Sequence, residues 1–293
     1  MLQMNHETII KEVCAKVFKI SESKIHLNKR LMGGMSNYTY VIDVDGTLHT
    51  FRIPGKNAEQ FVDRDIEAYH LKLIEPLKLN NETIYTDIEN GYKIAKYIEG
   101  KPLHELDPLN YLDAASKVLK TIHQSRIESK YDYAPFDRLE KYEKLVKGYD
   151  HQHTTRYYSY KNTLMSYKDF LDQFDKTLTH GDAQISNFVV QEDALRLMDW
   201  EFTGMNDPYY DIACFGNNNF DHALALLPVY LGHEPTDDEH NRLHLWRVFQ
   251  CLQWHNVALY KAFIGLSKDL SVDFKKVAAM YLDKAEALIA NLK

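Results

Sequence analysis

Residues 180–187 read HGDAQISN, and the stretch that follows them limits the fold more than any other. FVV at 188–190 and LRLMD at 195–199 are two short apolar runs joined by the polar QEDA, a hairpin in pattern. A polar loop therefore leads into two short strands, and the second strand ends on a carboxylate, Asp199. Asp182 and Asn187 stand five residues apart in the loop, and Asp199 follows twelve residues later.

Phosphoryl transfer from ATP uses such a set. One carboxylate orients or deprotonates the acceptor hydroxyl, while an amide oxygen and a second carboxylate hold Mg²⁺ against the phosphates. The spacing follows the protein-kinase arrangement H-R-D-x-x-x-x-N … D-F-G, with Asp199-Trp200-Glu201 as the third element. An Asp or Asn alone in a loop is most often a turn residue. The ordered set, with strands between its members, is what points to chemistry. His180 reads as a brace of the loop rather than a proton carrier.

Upstream, LMGGMSNYTYVIDVDGTLHTFRIPG at 31–55 alternates as strands, with LNKRL before it and Asp45-Gly46 as a hairpin turn. Gly33 and Gly34 supply bare backbone, and Ser36 and Asn37 supply polar side chains, a turn able to cover phosphates. Arg52, at the end of the following strand, supplies a cation for the α- and β-phosphates. It needs an acidic anchor on the next helix: Glu67, with Asp63 as the rival. That helix is expected from a capping box at Asn57 and Gln60, with Val62, Ile66, Tyr69 and Leu73 on its buried face. Two further strands flank Asn90-Gly91. Lys96, Tyr97 and Ile98 then form a hinge whose backbone can pair with adenine.

Beyond this point the pattern turns helical. A first helix is expected over 7–18, others over 137–149, 156–174, 239–266 and 271–292, and a stripe of Tyr111, Ala115, Val118 and Ile122 marks one more. The expectation is an α+β, protein-kinase-like, two-lobed fold. Residues 1–97 would be a small strand-rich nucleotide-binding lobe, and 98–293 a larger, mainly helical catalytic and substrate-binding lobe.

FRIPGKN with Arg64 and Glu67 downstream, HGDAQISN, and DWEFTGMNDPYYDIA together resemble the choline/ethanolamine kinases, particularly their bacterial branch, within the aminoglycoside-phosphotransferase-like kinases. The resemblance spans roughly residues 30–260. It implies Asp182 as catalytic base, Asn187 and Asp199 as Mg²⁺ ligands, Arg52 on the nucleotide phosphates with Glu67 as its partner, and Asp211 as a brace of the active-site loops. It also implies an aromatic and acidic box for a quaternary ammonium, which has no N–H to donate. The residues assigned to that box are Trp200, Glu201, Phe202, Tyr209 and Trp254, with Asp182 at the hydroxyl. Where the family often shows W-x-x-W, this chain has Trp254 and Val257. Where the family often has a glutamate seven residues after Asp211, this chain has Asn218, with Asp221 as a substitute.

The expected activity is ATP-dependent transfer of the γ-phosphoryl group to the hydroxyl of choline, with ATP and Mg²⁺ as cofactors. The rivals are a related kinase acting on ethanolamine, thiamine, a sugar or an aminoglycoside, and a catalytically inactive nucleotide-binding pseudokinase. A net charge of −7 argues against a broad nucleic-acid footprint and suits a cationic substrate. The N-terminus is not a secretory segment, and no apolar run approaches the roughly 18 residues needed to span a bilayer. Three scattered cysteines, Cys14, Cys214 and Cys251, fit a reducing compartment, so a cytoplasmic location is expected, with a small amino alcohol as the partner and no protein partner evident.

Overall fold

The computed structural model describes residues 2–31, 37–192 and 194–293. The chain runs through Leu2–Phe18 (α1), Ile25–Leu31 (β1), Asn37–Val44 (β2), Thr47–Pro54 (β3), Arg64–Leu73 (α2), Thr83–Thr86 (β4), Lys93–Lys96 (β5) and Lys101–Pro102 (β6). It continues with Leu112–His123 (α3), Pro135–Lys147 (α4), Thr155–Ser166 (α5), Lys168–Asp172 (α6), Thr177–Thr179 (β7), Phe188–Gln191 (β8), Ala194–Leu197 (β9) and Gly204–Asn206 (β10). Tyr209–Phe215 (α7), Asp221–Leu231 (α8), Asp237–Phe263 (α9), Leu266–Leu270 (α10) and Phe274–Ile289 (α11) complete it.

These elements form two units. The first holds residues 1–106 and 186–202, and the second holds 107–185 and 203–293. The first unit is built on an antiparallel sheet in the order β1-β2-β3-β5-β4. Asp45 and Gly46 both have positive φ, the backbone that a tight β2–β3 turn requires. One face of the sheet packs under α1: Ile10 and Cys14 meet Ile25, Tyr40, Ile42, Val44, Phe51, Ile53 and Ile94. Side chains alternate along a strand, so Arg52, between Phe51 and Ile53, leaves by the opposite face. Thr39 pairs with Arg52 across the ladder, which puts Asn37 on that same face two residues away. A second sheet, β6-β8-β9, joins residues 101–102 to the hairpin expected from FVV and LRLMD.

Helix α2 departs from expectation in two ways. Asn57 caps no helix with its side chain; Asp63 does, accepting from the N–H groups of Asp65 and Ile66. Of the expected stripe, Val62 is buried but precedes the helix, and Ile66, Tyr69 and Leu73 are only half-buried, whereas Glu67, Ala68, His70 and Leu71 are buried. A hydrophobic pattern reads every glutamate as outward, but here cations wait on the inner face. The helix expected over 156–174 is broken at Tyr167 into α5 and α6.

The second unit is organised around α9, 27 residues long. A capping box between Thr236 and Glu239 starts it. Nearly every residue from Leu243 to Lys261 is buried, as expected of a central helix packed on all sides. Its neighbours in contact include α4, α5, α7 and α11. The short antiparallel pair β7 and β10 lies in this unit and holds the HGD turn beside the start of α7.

Candidate active site

In the first unit, Arg52 and Glu67 form a two-pronged pair, Nη1 to Oε1 at 2.5 Å and Nη2 to Oε2 at 2.7 Å. Two parallel charge-assisted bonds fix both groups. Asp63, the rival anchor, is the cap of α2. Arg64, one turn before Glu67, donates to Glu67 Oε2 at 2.7 Å and to Glu201 Oε2 at 2.9 Å. Lys93 Nζ lies 3.5 Å from Glu67. Burial works against the charge on Glu67, but Arg52, Lys93 and Arg64 outweigh it and hold the carboxyl well below the usual carboxylate range. Burial and the neighbouring Asp199 push the Glu201 carboxyl up, against the pull of Arg52 and Arg64.

Asn187 and Asp199 sit at the base of one hairpin. Phe188 pairs with Leu197, and the N–H of Met198 donates to the carbonyl of Asn187 at 2.8 Å. Asp199 follows directly, with φ +67°, a left-handed conformation that aspartate tolerates better than most residues. Arg52 Nη1 lies 3.9 Å from Asp199 Oδ1. The donor set, a carboxylate 38% exposed and an amide oxygen, is of the hard kind magnesium takes alongside phosphate and water.

The phosphate-turn assignments divide. Gly33, Gly34 and Ser36 lie outside the described residues. Asn37 is tied inward, its amide donating to both Glu201 oxygens at 3.1 and 3.2 Å and its oxygen accepting from Arg64 at 3.4 Å. At the expected hinge, the Lys96 side chain pairs with Glu82, its N–H donates to the Glu82 carbonyl, and its own carbonyl accepts from Asn81. Tyr97 donates its N–H to the Leu48 carbonyl at 3.1 Å. The backbone of Lys96 is thus already engaged on both sides, by Glu82 and Asn81.

In the second unit, the HGD turn is clamped by Asp211. Its Oδ2 accepts from the N–H of His180 at 2.7 Å and its Oδ1 from the N–H of Gly181 at 2.9 Å. Gly181 has φ +79°, which suits only glycine without strain. His123 Nε2 is 3.1 Å from Asp211 Oδ2, and its Nδ1 is 2.8 Å from the Tyr230 hydroxyl. Burial opposes ionisation of Asp211, yet the contacts with His123 and His180 hold its carboxyl below the usual range. The N–H of Asp182 donates to His180 Nδ1 at 3.2 Å, so the imidazole of His180, fully buried, shapes the turn. Gln184 Nε2 donates to Asp182 Oδ2 at 3.0 Å.

The aromatic and acidic box needs correction. Trp200 is fully buried, its indole N–H on the Leu197 carbonyl, and offers no ring face to a ligand. Glu201 is occupied by Arg64, Arg52 and Asn37 rather than turned to an ammonium. Tyr209 is buried under the Arg242 guanidinium, 4.0 Å from its ring centroid. Trp246 is also buried, donating to Asp207 at 2.6 Å. Asn218 and Asp221 are exposed. Of the three tryptophans only Trp254 is half-buried, and Phe202 is 8% exposed. Arg64 enters the sequence reading only as part of a motif, not as a contact of both Glu67 and Glu201. Its place three residues before Glu67, which puts the two on one helix face, is the signal that could have shown the first of these contacts.

The profile of the family described as choline/ethanolamine kinase matches residues 28–246. The chain belongs to the choline/ethanolamine kinase family. It is therefore a phosphotransferase with an alcohol as acceptor, on a protein-kinase-like α+β fold. It is 25% identical to the protein LicA of Haemophilus influenzae over 275 residues, covering 89% of this chain and 79% of that one. The crystal structure of the choline kinase LicA from Streptococcus pneumoniae matches with a TM-score of 0.79 at 26% identity, covering 98% and 99% of the two chains. A LicA solved in complex with AMP matches with a TM-score of 0.77 at 25% identity, covering 97% and 99%. Nucleotide use follows from the family. Among the described residues no helix is long and apolar enough to cross a membrane.

Proposed function

We propose that this chain is an Mg²⁺- and ATP-dependent kinase that converts choline to phosphocholine in the cytoplasm. Asp182 accepts a hydrogen bond from the choline hydroxyl and takes its proton late in the transfer. Asn187 and Asp199 hold the magnesium, which neutralises charge on the phosphates when bound. Arg52, kept in place by Glu67, adds a fixed cation for the nucleotide phosphates. Tyr97 and Ile98 offer backbone to adenine. Positioning and charge neutralisation provide nearly all the acceleration, since no covalent bond to the protein forms. The observation that carries the reading is Arg52 standing 3.9 Å from Asp199, a phosphate cation beside a magnesium carboxylate.

Choline is favoured by the kind of group it requires. A quaternary ammonium is held by ring faces, and Trp254 is the half-buried indole of the chain. ADP release measured with choline, ethanolamine, thiamine, methylthioribose and kanamycin tests the assignment, and turnover should be highest with choline. Turnover with kanamycin or thiamine, and none with choline or ethanolamine, would overturn it. Asp182→Asn should lower kcat by about a hundredfold or more while MgATP binding is kept. A normal rate in that variant removes Asp182 from the role of base.

A further inference from the structure

Arg247 is a buried cation whose hydrogen-bond partners, among the described residues, are all neutral. It sits mid-way along α9 and is 2% exposed. A buried guanidinium needs every donor satisfied and its charge answered somewhere. Its Nη1 donates to Gln250 Oε1 at 2.8 Å, and Gln250 is itself held by the Tyr210 carbonyl. Its Nη2 donates to Asn217 Oδ1 at 2.8 Å and to the Asn217 carbonyl at 3.2 Å. Asn217 Nδ2 then donates to Gln184 Oε1 at 2.9 Å, and Gln184 Nε2 donates to Asp182 Oδ2 at 3.0 Å. Lys284 adds a second cation, its Nζ 3.0 Å from the Asn217 carbonyl.

The direction of this path is set by its ends. A guanidinium only donates, and an ionised carboxylate only accepts. Asn217 must therefore turn its oxygen to Arg247 and its NH₂ to Gln184, and Gln184 must turn its NH₂ to Asp182. Flipping either amide sets like against like. Arg247 is thus linked to Asp182 through two amides whose orientations it fixes.

We propose that Arg247 is a positioning residue for phosphoryl transfer, aiming the Asp182 carboxylate through Asn217 and Gln184. The inference rests on Asp182 being the base. A base must meet the acceptor hydroxyl within a few tenths of an ångström, and Gln184 pins one of its two oxygens.

Asn217→Asp tests this without removing bulk. The new carboxylate pairs directly with Arg247, so folding is preserved, but it has no N–H for Gln184. The NH₂ of Gln184 then turns to that carboxylate, and its oxygen faces Asp182. We expect kcat to fall about tenfold, the equivalent of one hydrogen bond lost and one repulsion gained. The KM for MgATP should stay within about twofold and the thermal midpoint should be unchanged or higher. Gln184→Met should lower kcat similarly, and the double variant should be no worse than the lower single, because both cut one path. Either single variant keeping kcat within about twofold of the parent, or effects that multiply, overturns the proposal. Asp182→Asn, measured alongside, separates the two levels. If it is inactive while Asn217→Asp is normal, only the role of Arg247 fails. If Asp182→Asn is active, the assignment of the base has failed first.

Discussion

At Trp254 the difference between core and contact can be measured. Trp254→Ala should raise KM for choline several-fold and leave KM for MgATP nearly unchanged; equal effects on both would mark the ring as packing. The histidines give a pH dependence. Burial pushes His70 and His255 down to about 4. Their folded pKa values lie below the unfolded value of about 6.5, so between these limits the unfolded chain binds more protons. Stability is fully present above about pH 6.5 and is lost as pH falls toward 4, at about 1.4 kcal/mol per pH unit for each histidine. Denaturant titrations from pH 7 to 4 should show that slope, and His255→Gln should remove one histidine's share of it. The Arg52–Glu67 pair is legible in sequence because a cation at a strand end needs an acidic anchor on the next helix, while Asp182, Asn187 and Asp199 stand out by the order and spacing of their side-chain types. Trp200, Glu201 and Tyr209 mislead because an aromatic or acid near a motif looks the same whether its partner is a ligand or a neighbouring side chain. Asn217 and Arg247 carry no signal, since the contacts that join Asn217 to Gln184 and to Arg247 span 30 or more residues.

Among the elements, α2 and the β4–β5 turn control the arginine pair. Asp63→Ala removes the cap of α2 and should cost about 1 kcal/mol of unfolding free energy, read by urea denaturation. Gly91 has φ +70°, and a Cβ there would come 2.6 Å from Pro54 Cγ and 3.1 Å from Arg64 Nε. Its carbonyl also accepts from Arg52 at 3.3 Å. Gly91→Ala should therefore destabilise by on the order of 2 kcal/mol and raise KM for MgATP. Thermal melts and ADP-release kinetics on one preparation check both. The strands and hairpins are legible because Asp45-Gly46, Asn90-Gly91 and the polar QEDA punctuate alternating runs. The start of α2 is not. Asn57 lies in a left-handed turn ahead of a short 3₁₀ segment, and the helix waits for the next capping residue, Asp63. Its inner face escapes the periodic reading because a glutamate met by three cations can be buried at little cost.

For the molecule as a whole, the family and the kinase-like fold are legible from three motifs, and the order of strands and helices follows them. The path of the chain is not. Hydrophobic spacing says which faces are buried but not which neighbour buries them, so nothing marks residues 186–202 as part of the first unit. That excursion has a consequence during synthesis. A nascent chain presents the edge of β6 long before β8 leaves the ribosome, a lag on the order of ten seconds at ordinary translation speeds. Until then Arg64 lacks Glu201, so the cluster of charges around Arg52 and Glu67 is completed only once residues 186–202 have been made.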